Sequence, residues 1–212
     1  MHIVTLFHDR SFRTRFLLML SGVFGMGFFQ SFLIPVDYGV GTAAFFCLGF
    51  SSISGLTFGT CSLLLNLVCF VPVLLFDRKL IHLGTFAAMV LTGYISDFFL
   101  WVWELILPQS LFTVQPWRTV TFVAALIPFL ISVALYMNAH MGEAPFDAVP
   151  TIVSKRTKAP FAPVRILWDF LFIALGLLTG QILMAATVIM AFAVGPAVSF
   201  IGRQLERFIR LD

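Results

Sequence analysis

The chain has 212 residues, of which 60% are hydrophobic and 11% are charged, and its mean hydropathy is +1.01. Soluble globular domains carry about 25% charged residues, so this chain has too few to cover a surface that faces water, and lipid is the expected surrounding. The formal charge of +3 does not indicate nucleic acid, because the basic residues form short clusters between apolar stretches, as at a membrane surface.

Six apolar stretches are long enough to cross a membrane, which takes about 20 helical residues. The first follows a basic segment, as in a signal peptide, but it is longer than the roughly 7–15 apolar residues of a signal and no small-residue cleavage site follows it. We therefore predict that it is a retained helix. In chain order, the stretches are Phe16–Pro35, Gly59–Phe76, Leu83–Ile106, Trp117–Ala139, Val164–Gly180 and Ile182–Ile201.

Basic residues alternate along the chain between one side of the predicted membrane and the other. The segments 36–58, 107–116 and 179–181 contain no Lys or Arg. The other connections and both flanks are basic, through Arg10, Arg13, Arg15, Arg78, Lys79, Lys155, Arg156, Lys158, Arg203, Arg207 and Arg210. Because cytoplasmic loops are enriched in Lys and Arg, the pattern predicts a multi-pass protein with both termini in the cytoplasm.

The two halves of the sequence show the same order of features. A Gly-rich segment follows the first stretch of each half, at 38–45 and at 141–148, and a pair of spans comes later. Aligning Gly39 with Gly142 places Asn66 opposite Asp169. The sequence therefore predicts an all-α membrane protein with a single membrane domain, 1–212, in which repeat 1 covers about residues 11–106 and repeat 2 about residues 117–203.

Each predicted repeat contains three transmembrane helices, so the second repeat enters the membrane from the opposite side. Inverted-topology repeats of this kind are typical of secondary transporters, which bind substrate near the midplane, where helices are broken. We expect the Gly-rich segment after the first helix of each repeat to be broken or re-entrant, which is tolerated where protein or a water-filled cavity surrounds it. The alternative is a surface loop or an interfacial helix.

Short motifs in both halves resemble those of the YczE/YyaS/YitT-like bacterial membrane proteins. In the first half they are 39–41, 55–60 and 93–99, and in the second half Asn138, Gly142, 144–148, Arg165 and Asp169. The resemblance covers nearly the whole chain and implies a six-span protein of the bacterial inner membrane, without implying an activity beyond an assumed role in transport. Two positions depart from the pattern: Glu143, where a small or apolar residue is expected, and Thr42, where a proline would mirror Pro145.

Polar residues inside the predicted membrane region are the candidates for a site, because burying an ionisable group there costs about 2.5–3.5 kcal/mol on insertion scales. Arg165 and Asp169 have i,i+4 spacing and either line a site or form a structural ion pair. Glu143 and Asp147 have the same spacing if their segment is helical, and either project into a cavity or complement a helix dipole. The amides also have a structural alternative as interhelical hydrogen-bond partners. The candidate substrate-binding residues are Asp169, Arg165, Asp147, Asn66, Glu143, Asn138, Gln30 and Asp97.

These features favour a secondary transporter, a permease or an exporter, for a small polar molecule or ion. The alternatives are a substrate-binding membrane subunit of an energy-coupled vitamin importer and a non-transporting scaffold or regulator. We expect no enzyme, because the chain has no HExxH motif, nucleophile elbow or pair of metal-binding His residues on one helix face. We also expect no cofactor and no metal, with Cys47, Cys61 and Cys69 serving as packing residues. The expected partners are membrane lipid and the substrate; a homodimer is left open, and nucleic acid is not expected.

Overall fold

The computed structural model describes residues 10–192, 200, 201 and 204, and the regular elements among them are helices. Five of these helices are long and apolar enough to cross a membrane. The chain is therefore a multi-pass α-helical membrane protein. The five long helices are α1 (Arg10–Val36), α3 (Phe58–Phe76), α4 (Leu83–Ile106), α6 (Trp117–Asn138) and α8 (Phe161–Leu178).

Two further helices, α2 (Thr42–Ser54) and α7 (Pro145–Thr157), have 13 residues each. A helix of that length rises about 20 Å, which is too short for the roughly 30 Å of hydrocarbon in a bilayer. Each follows one of the two Gly-rich segments and has a buried face, formed in α7 by Phe146, Val149 and Ile152 among others. A short helix, α5 (Ser110–Thr113), and a 3-10 turn (Arg78–Leu80) lie between the long helices.

The predicted sixth stretch, Ile182–Ile201, lies partly outside the described residues. Residues 185–192, 200 and 201 are helical, whereas 193–199 are not described. The other five predicted stretches correspond to α1, α3, α4, α6 and α8, with boundaries that differ by a few residues. Six membrane helices thus remain a prediction. The cytoplasmic location of Arg203, Arg207 and Arg210 also remains a prediction, because these residues lie outside the described part of the chain.

Local sequence signals explain where several helices begin and end. The Thr57 side chain accepts a hydrogen bond from the Thr60 N–H and caps the start of α3, as threonine often does. Proline is favoured at the first position of a helix, where its missing N–H is not needed, and Pro145 occupies that position in α7. At their other ends, α2 and α7 both terminate in a left-handed residue, Gly55 and Lys158.

The backbone repeats its unusual conformations at a constant spacing of 103 residues. Positive φ is uncommon in residues other than glycine, yet it occurs in three pairs with this spacing: Asp37 and His140 (both +51°), Gly39 (+120°) and Gly142 (+107°), and Gly55 (+73°) and Lys158 (+56°). The short helices α2 and α7 also begin 103 residues apart and end 103 residues apart. The two halves of the chain therefore follow the same local path from the end of α1 or α6 to the start of α3 or α8.

Helix α2 packs along α8, in the same direction. The Thr42 hydroxyl donates a hydrogen bond to Asp169 over 2.5 Å. Further along both helices, a Cβ at Gly176 would lie 2.5 Å from the Phe45 ring, and Gly49 contacts Thr179 beyond the end of α8. Because later residues of α2 meet later residues of α8, the two helices run in parallel.

Helix α7 packs in the same way along α3. The Phe146 N–H donates to Asn66 over 3.3 Å, the Arg156 guanidinium lies 4.1 Å from the centre of the Phe76 ring, and Lys155 pairs with Asp77 at 3.3 Å. These contacts bring two of the basic segments together. We call this the basic end of the molecule, defined by the exposed residues Arg78, Lys79, Lys155, Arg156 and Lys158.

The two short helices run in opposite directions. Only residues 158–160 separate α7 from α8, and Arg165 on α8 reaches back to Asp147 on α7 at 2.6 Å, so these two helices form an antiparallel hairpin. Since α2 runs parallel to α8, α2 and α7 are antiparallel. Their starts, at Thr42 and Pro145, therefore face in opposite directions along the long helices.

The two Gly-rich segments make reciprocal contacts with the opposite half. The Gly84 N–H at the start of α4 donates to the Met141 carbonyl over 2.8 Å, and the Ala186 N–H donates to the Tyr38 carbonyl over 3.2 Å. In both places a glycine of positive φ lies against a threonine, Gly142 against Thr85 and Gly39 against Thr187. Only glycine combines this φ with room for so close an approach, which explains the Gly-rich sequence of both segments.

The close contact between α1 and α6 depends on another glycine, because small residues let membrane helices approach. A Cβ at Gly22 on α1 would lie 2.6 Å from the Tyr136 nitrogen and 2.8 Å from the Ser132 carbonyl oxygen, both in α6, whereas a Cβ at Gly41 would meet no atom within 4 Å.

We expect Gly22→Ala to lower the free energy of unfolding by about 1–3 kcal/mol, because the added methyl would press on the α6 backbone. The matched change Gly41→Ala should have little effect. Thermal unfolding of the purified variants in detergent measures both. Unfolding of Gly22→Ala at the wild-type temperature would contradict the close α1–α6 contact.

Candidate functional site

Three charged side chains of the second half form one cluster. Arg165 on α8 contacts Asp147 on α7 (Nη1 to Oδ1, 2.6 Å) and Asp169 on α8 (Nε to Oδ2, 3.0 Å). The pairing of Arg165 with Asp169, expected from their i,i+4 spacing, is confirmed. The additional bond to Asp147 makes Arg165 a bridge between two carboxylates on different helices.

Asp169 lies deep in the molecule. It follows the first residue of α8, Phe161, by eight residues, which places it about 12 Å along a helix about 27 Å long. Its side chain is 5% exposed and accepts hydrogen bonds from Thr42 and from Arg165. A buried carboxylate is stable only when it is paired and hydrogen-bonded, and both conditions are met here by partners from two different helices.

Asn66 occupies the corresponding place in the first half. It follows the first residue of α3 by eight residues, and its Oδ1 accepts the Phe146 N–H at the start of α7, while its Nδ2 donates to the Ser62 carbonyl. Asn66 and Asp169, which the sequence alignment places opposite each other, thus each hold the start of the short helix of the other half. These helix starts carry partial positive charge from their free N–H groups.

Exposure increases across the cluster from Asp169. The side chain of Arg165 is 24% exposed and that of Asp147 is 37% exposed, against 5% for Asp169. Glu143 lies on the same side: its N–H donates to the Leu80 carbonyl, and its charge interacts with those of Asp147, Lys155 and Asp77. Polar groups therefore extend from the basic end of the molecule to Asp169.

Glu143 does not lie on a helix, so the condition under which it would share a helix face with Asp147 is not met. A residue before proline is disfavoured in the helical conformation, and Ala144 is extended before Pro145, where α7 begins. The Glu143 Oε2 instead accepts a hydrogen bond from Thr151 over 3.0 Å. Burial raises the pKa of the Glu143 carboxyl, the Thr151 hydrogen bond lowers it, and the negative charge of Asp147 raises it further.

Aromatic rings form one wall of the cluster. The Arg165 guanidinium lies 5.5 Å from the centre of the Phe146 ring, within the range of a cation–π interaction. Behind it, the Phe146 ring packs against Trp168 at 5.7 Å and Phe172 at 4.9 Å between ring centres. The Trp168 indole nitrogen is buried and has no hydrogen-bond partner among the described residues.

Within the described residues, no hydrogen bond or ion pair joins the three other candidate residues to Arg165. Asp97 on α4 accepts the Gly59 N–H over 2.9 Å and thereby caps the start of α3. Asn138 donates to the Ala134 carbonyl within its own helix. Gln30 lies half-buried on α1 and, within the part of the chain that the structure describes, forms no hydrogen bond with the cluster. Their contribution to substrate binding stays a prediction.

Two cluster residues were missing from the sequence-based candidates. In the sequence, Thr42 stands out only because a proline would mirror Pro145 at that position. In the structure, its hydroxyl donates a hydrogen bond to Asp169. Phe146 contributes its N–H to Asn66 and its ring to Arg165. The available signal was position: both residues lie at the starts of the short helices, where N–H groups and side chains need partners.

The site contains no obvious metal ligand set. Among the described residues, no three His, Cys, Asp or Glu side chains come together in a way that could hold an ion. Cys47, Cys61 and Cys69 are unpaired thiols buried in the hydrophobic core. The carboxylates, the guanidinium and the N–H groups at the helix starts can bind a charged or polar group.

We expect Arg165→Met to lower the free energy of unfolding by about 3–5 kcal/mol, because it leaves the buried Asp169 carboxylate without its cation. Adding Asp169→Leu to the same protein should restore much of the loss, since the uncompensated charge is then gone. Thermal unfolding of the two single variants and the double variant measures this coupling. Additive losses would show that the pair does not interact.

Residues 13–203 match a protein family described as a family of unknown function (DUF6198). No curated protein and no solved structure matches the chain. The resemblance to the YczE/YyaS/YitT-like proteins stays a prediction. Because the matched segment extends over nearly all of the sequence, from the first turn of α1 to residue 203, the protein belongs to the DUF6198 family.

Proposed function

We propose that the protein is a secondary transporter of a small polar molecule or ion, located in the bacterial inner membrane and built from two inverted-topology repeats of three membrane helices. One observation carries the proposal. The starts of two antiparallel short helices are held near the middle of long membrane helices, next to the cluster of Asp147, Arg165 and the buried Asp169.

The inverted repeat is supported by three features of the backbone. Positive-φ residues recur at a spacing of 103 residues, the Gly-rich segments exchange contacts with the opposite half, and α2 and α7 run in opposite directions. Inverted repeats of this type place substrate sites where discontinuous helices meet near the bilayer midplane, with their positive N-terminal ends directed at charged groups.

The re-entrant character of α2 and α7 is supported by their length and burial. Each is too short to cross the bilayer, and each packs along a long helix of the other half. Irregular backbone at membrane depth is tolerated only when protein or a water-filled cavity surrounds it. The segments before the two helices meet that condition through their contacts with α4 and with residues 185–192.

The charged cluster supports transport over a purely structural role. Ionisable residues inside a membrane are expensive and usually mark substrate or ion pathways. A structural ion pair needs one partner for Arg165, whereas here Asp147 is also engaged and its side chain is 37% exposed. Substrate that enters from that end would meet Asp147 before Asp169.

The proposed orientation places the basic end and both termini in the cytoplasm. We expect Thr157→Cys, at the end of α7, to react with a membrane-impermeant maleimide only after cells are permeabilised. The matched change Ser54→Cys, 103 residues earlier at the end of α2, should react in intact cells. Both positions are exposed, whereas the three native cysteines are buried. Labelling of both from the same side would contradict the inverted topology.

We expect Asp169→Asn to lose ligand-dependent thermal stabilisation, and uptake into proteoliposomes, for any ligand that a screen of metabolites and ions finds. Loss of a charged hydrogen bond worth about 1.5–3 kcal/mol corresponds to a roughly tenfold to hundredfold loss of affinity. Asp77→Asn is the matched control, because Asp77 pairs with Lys155 at the basic end, outside the cluster.

The same experiment separates the alternatives. Normal transport by Asp169→Asn would refute the assigned site. Co-purification with ATPase subunits, together with no transport by the isolated protein, would indicate the membrane subunit of an energy-coupled importer. A protein that no ligand stabilises and that requires a protein partner would be a scaffold or regulator.

A further inference from the structure

The Arg165 guanidinium is contacted by Asp147, Asp169 and the ring of Phe146, and we call these three residues the box. Its Nη1 contacts Asp147, its Nε contacts Asp169, and its guanidinium carbon lies 5.5 Å from the centre of the Phe146 ring. Two carboxylates and an aromatic face are the groups that proteins use to bind an organic cation. The box is therefore complementary to a guanidinium, whether or not that guanidinium belongs to the protein.

The charges around the box favour a cation in it. Without Arg165, the carboxylates of Asp147 and Asp169 would have no basic partner, and the nearby Glu143 would add to the negative field. The next basic side chain on this side, Lys155, already pairs with Asp77. An anionic ligand would meet three carboxylates here, whereas a cationic ligand would replace the one positive charge that they require.

We propose that Asp147, Asp169 and the Phe146 ring form a binding site for a small organic cation, and that Arg165 is a tethered occupant which the substrate cation displaces. The proposal rests on the proposed transport function and names the substrate class of the same site. An organic cation is favoured over a metal ion because the ring face and the two spaced carboxylates suit a weakly hydrated, delocalised charge.

Arg165 has a route out of the box. It follows the start of α8 by four residues, or about 6 Å of helix, that start lies three residues after the end of α7 at the basic end, and the Arg165 side chain is 24% exposed. Long arginine side chains reach water from such positions by extending along the helix. Asp169, by contrast, is 5% exposed and has no comparable freedom.

This arrangement would solve an electrostatic problem of transport. A cation site in a membrane leaves unpaired carboxylates behind when its substrate departs, and buried unpaired charge is strongly destabilising. If Arg165 returns whenever the substrate leaves, the carboxylates are paired in both the loaded and the empty state. Substrate binding then becomes an exchange of one cation for another.

The test uses Arg165→Ala, which empties the box, and two small probes of nearly equal shape, the methylguanidinium cation and neutral methylurea. Methylguanidinium at millimolar concentration should raise the unfolding temperature of Arg165→Ala, whereas methylurea should not. The affinity for methylguanidinium should be at least about tenfold higher in Arg165→Ala than in the wild type, because the tethered competitor is gone. Adding Asp147→Asn should weaken that binding, whereas adding Asp77→Asn should not.

Equal effects of methylguanidinium and methylurea on Arg165→Ala would overturn the proposal. So would stabilisation of the wild-type protein by acetate that disappears in Arg165→Ala, because Arg165 would then bind an anion; transport as such would survive that result. If Arg165→Ala does not fold, the wild type is titrated with both probes, and a selective rise of the unfolding temperature with methylguanidinium is required. Selective binding without methylguanidinium flux in proteoliposomes would keep the cation site and reject transport.

Discussion

The burial of the Asp169 carboxylate near the middle of a membrane helix is the constraint on which the rest of the site depends. In a low-dielectric interior such a charge persists only with a cation and hydrogen bonds around it. Arg165 supplies the cation, and the Thr42 hydroxyl supplies a hydrogen bond. Because Thr42 begins α2 and Arg165 also binds Asp147 on α7, the pair of Asp169 and Arg165 ties both short helices to α8.

The same geometry recurs in the first half without the charges. Asn66 stands where Asp169 stands in the second half, and the spacing of 103 residues places Ala44 opposite Asp147 and Ser62 opposite Arg165. The Asn66 amide still accepts the N–H at the start of α7, so the backbone requirement is met in both halves. Only the second half adds ionised groups, and they extend toward the basic end. At these positions the second half thus carries the charged residues Asp147, Arg165 and Asp169, whereas the first half carries the uncharged Ala44, Ser62 and Asn66.

Several features were predictable because they depend on residues close in sequence. Apolar length locates the membrane helices, and the i,i+4 spacing brings Arg165 onto Asp169. The order of Gly-rich segments and spans also aligned Asn66 with Asp169. The bond between Arg165 and Asp147 was not predictable in this way, since it depends on the angle at which α7 folds back on α8. The break before Pro145, which keeps Glu143 off the helix, follows from a local rule, since a residue before proline is disfavoured in the helical conformation.

The apolar stretches are enough to identify a multi-pass helical membrane protein, because hydrocarbon thickness translates directly into the length of such stretches. Glycine at positions 39 and 142 is compatible with the positive φ there, whereas Asp37, His140 and Lys158 take positive φ without that signal in the sequence. Which polar residues form one cluster depends on the packing of helices that are distant in the sequence. Asp97 caps α3, whereas Asp169 joins Thr42, Arg165 and the start of α2. Both aspartates lie in apolar helices, and their surroundings differ because of which helix packs against each of them, which is a long-range outcome that spacing along the chain does not encode.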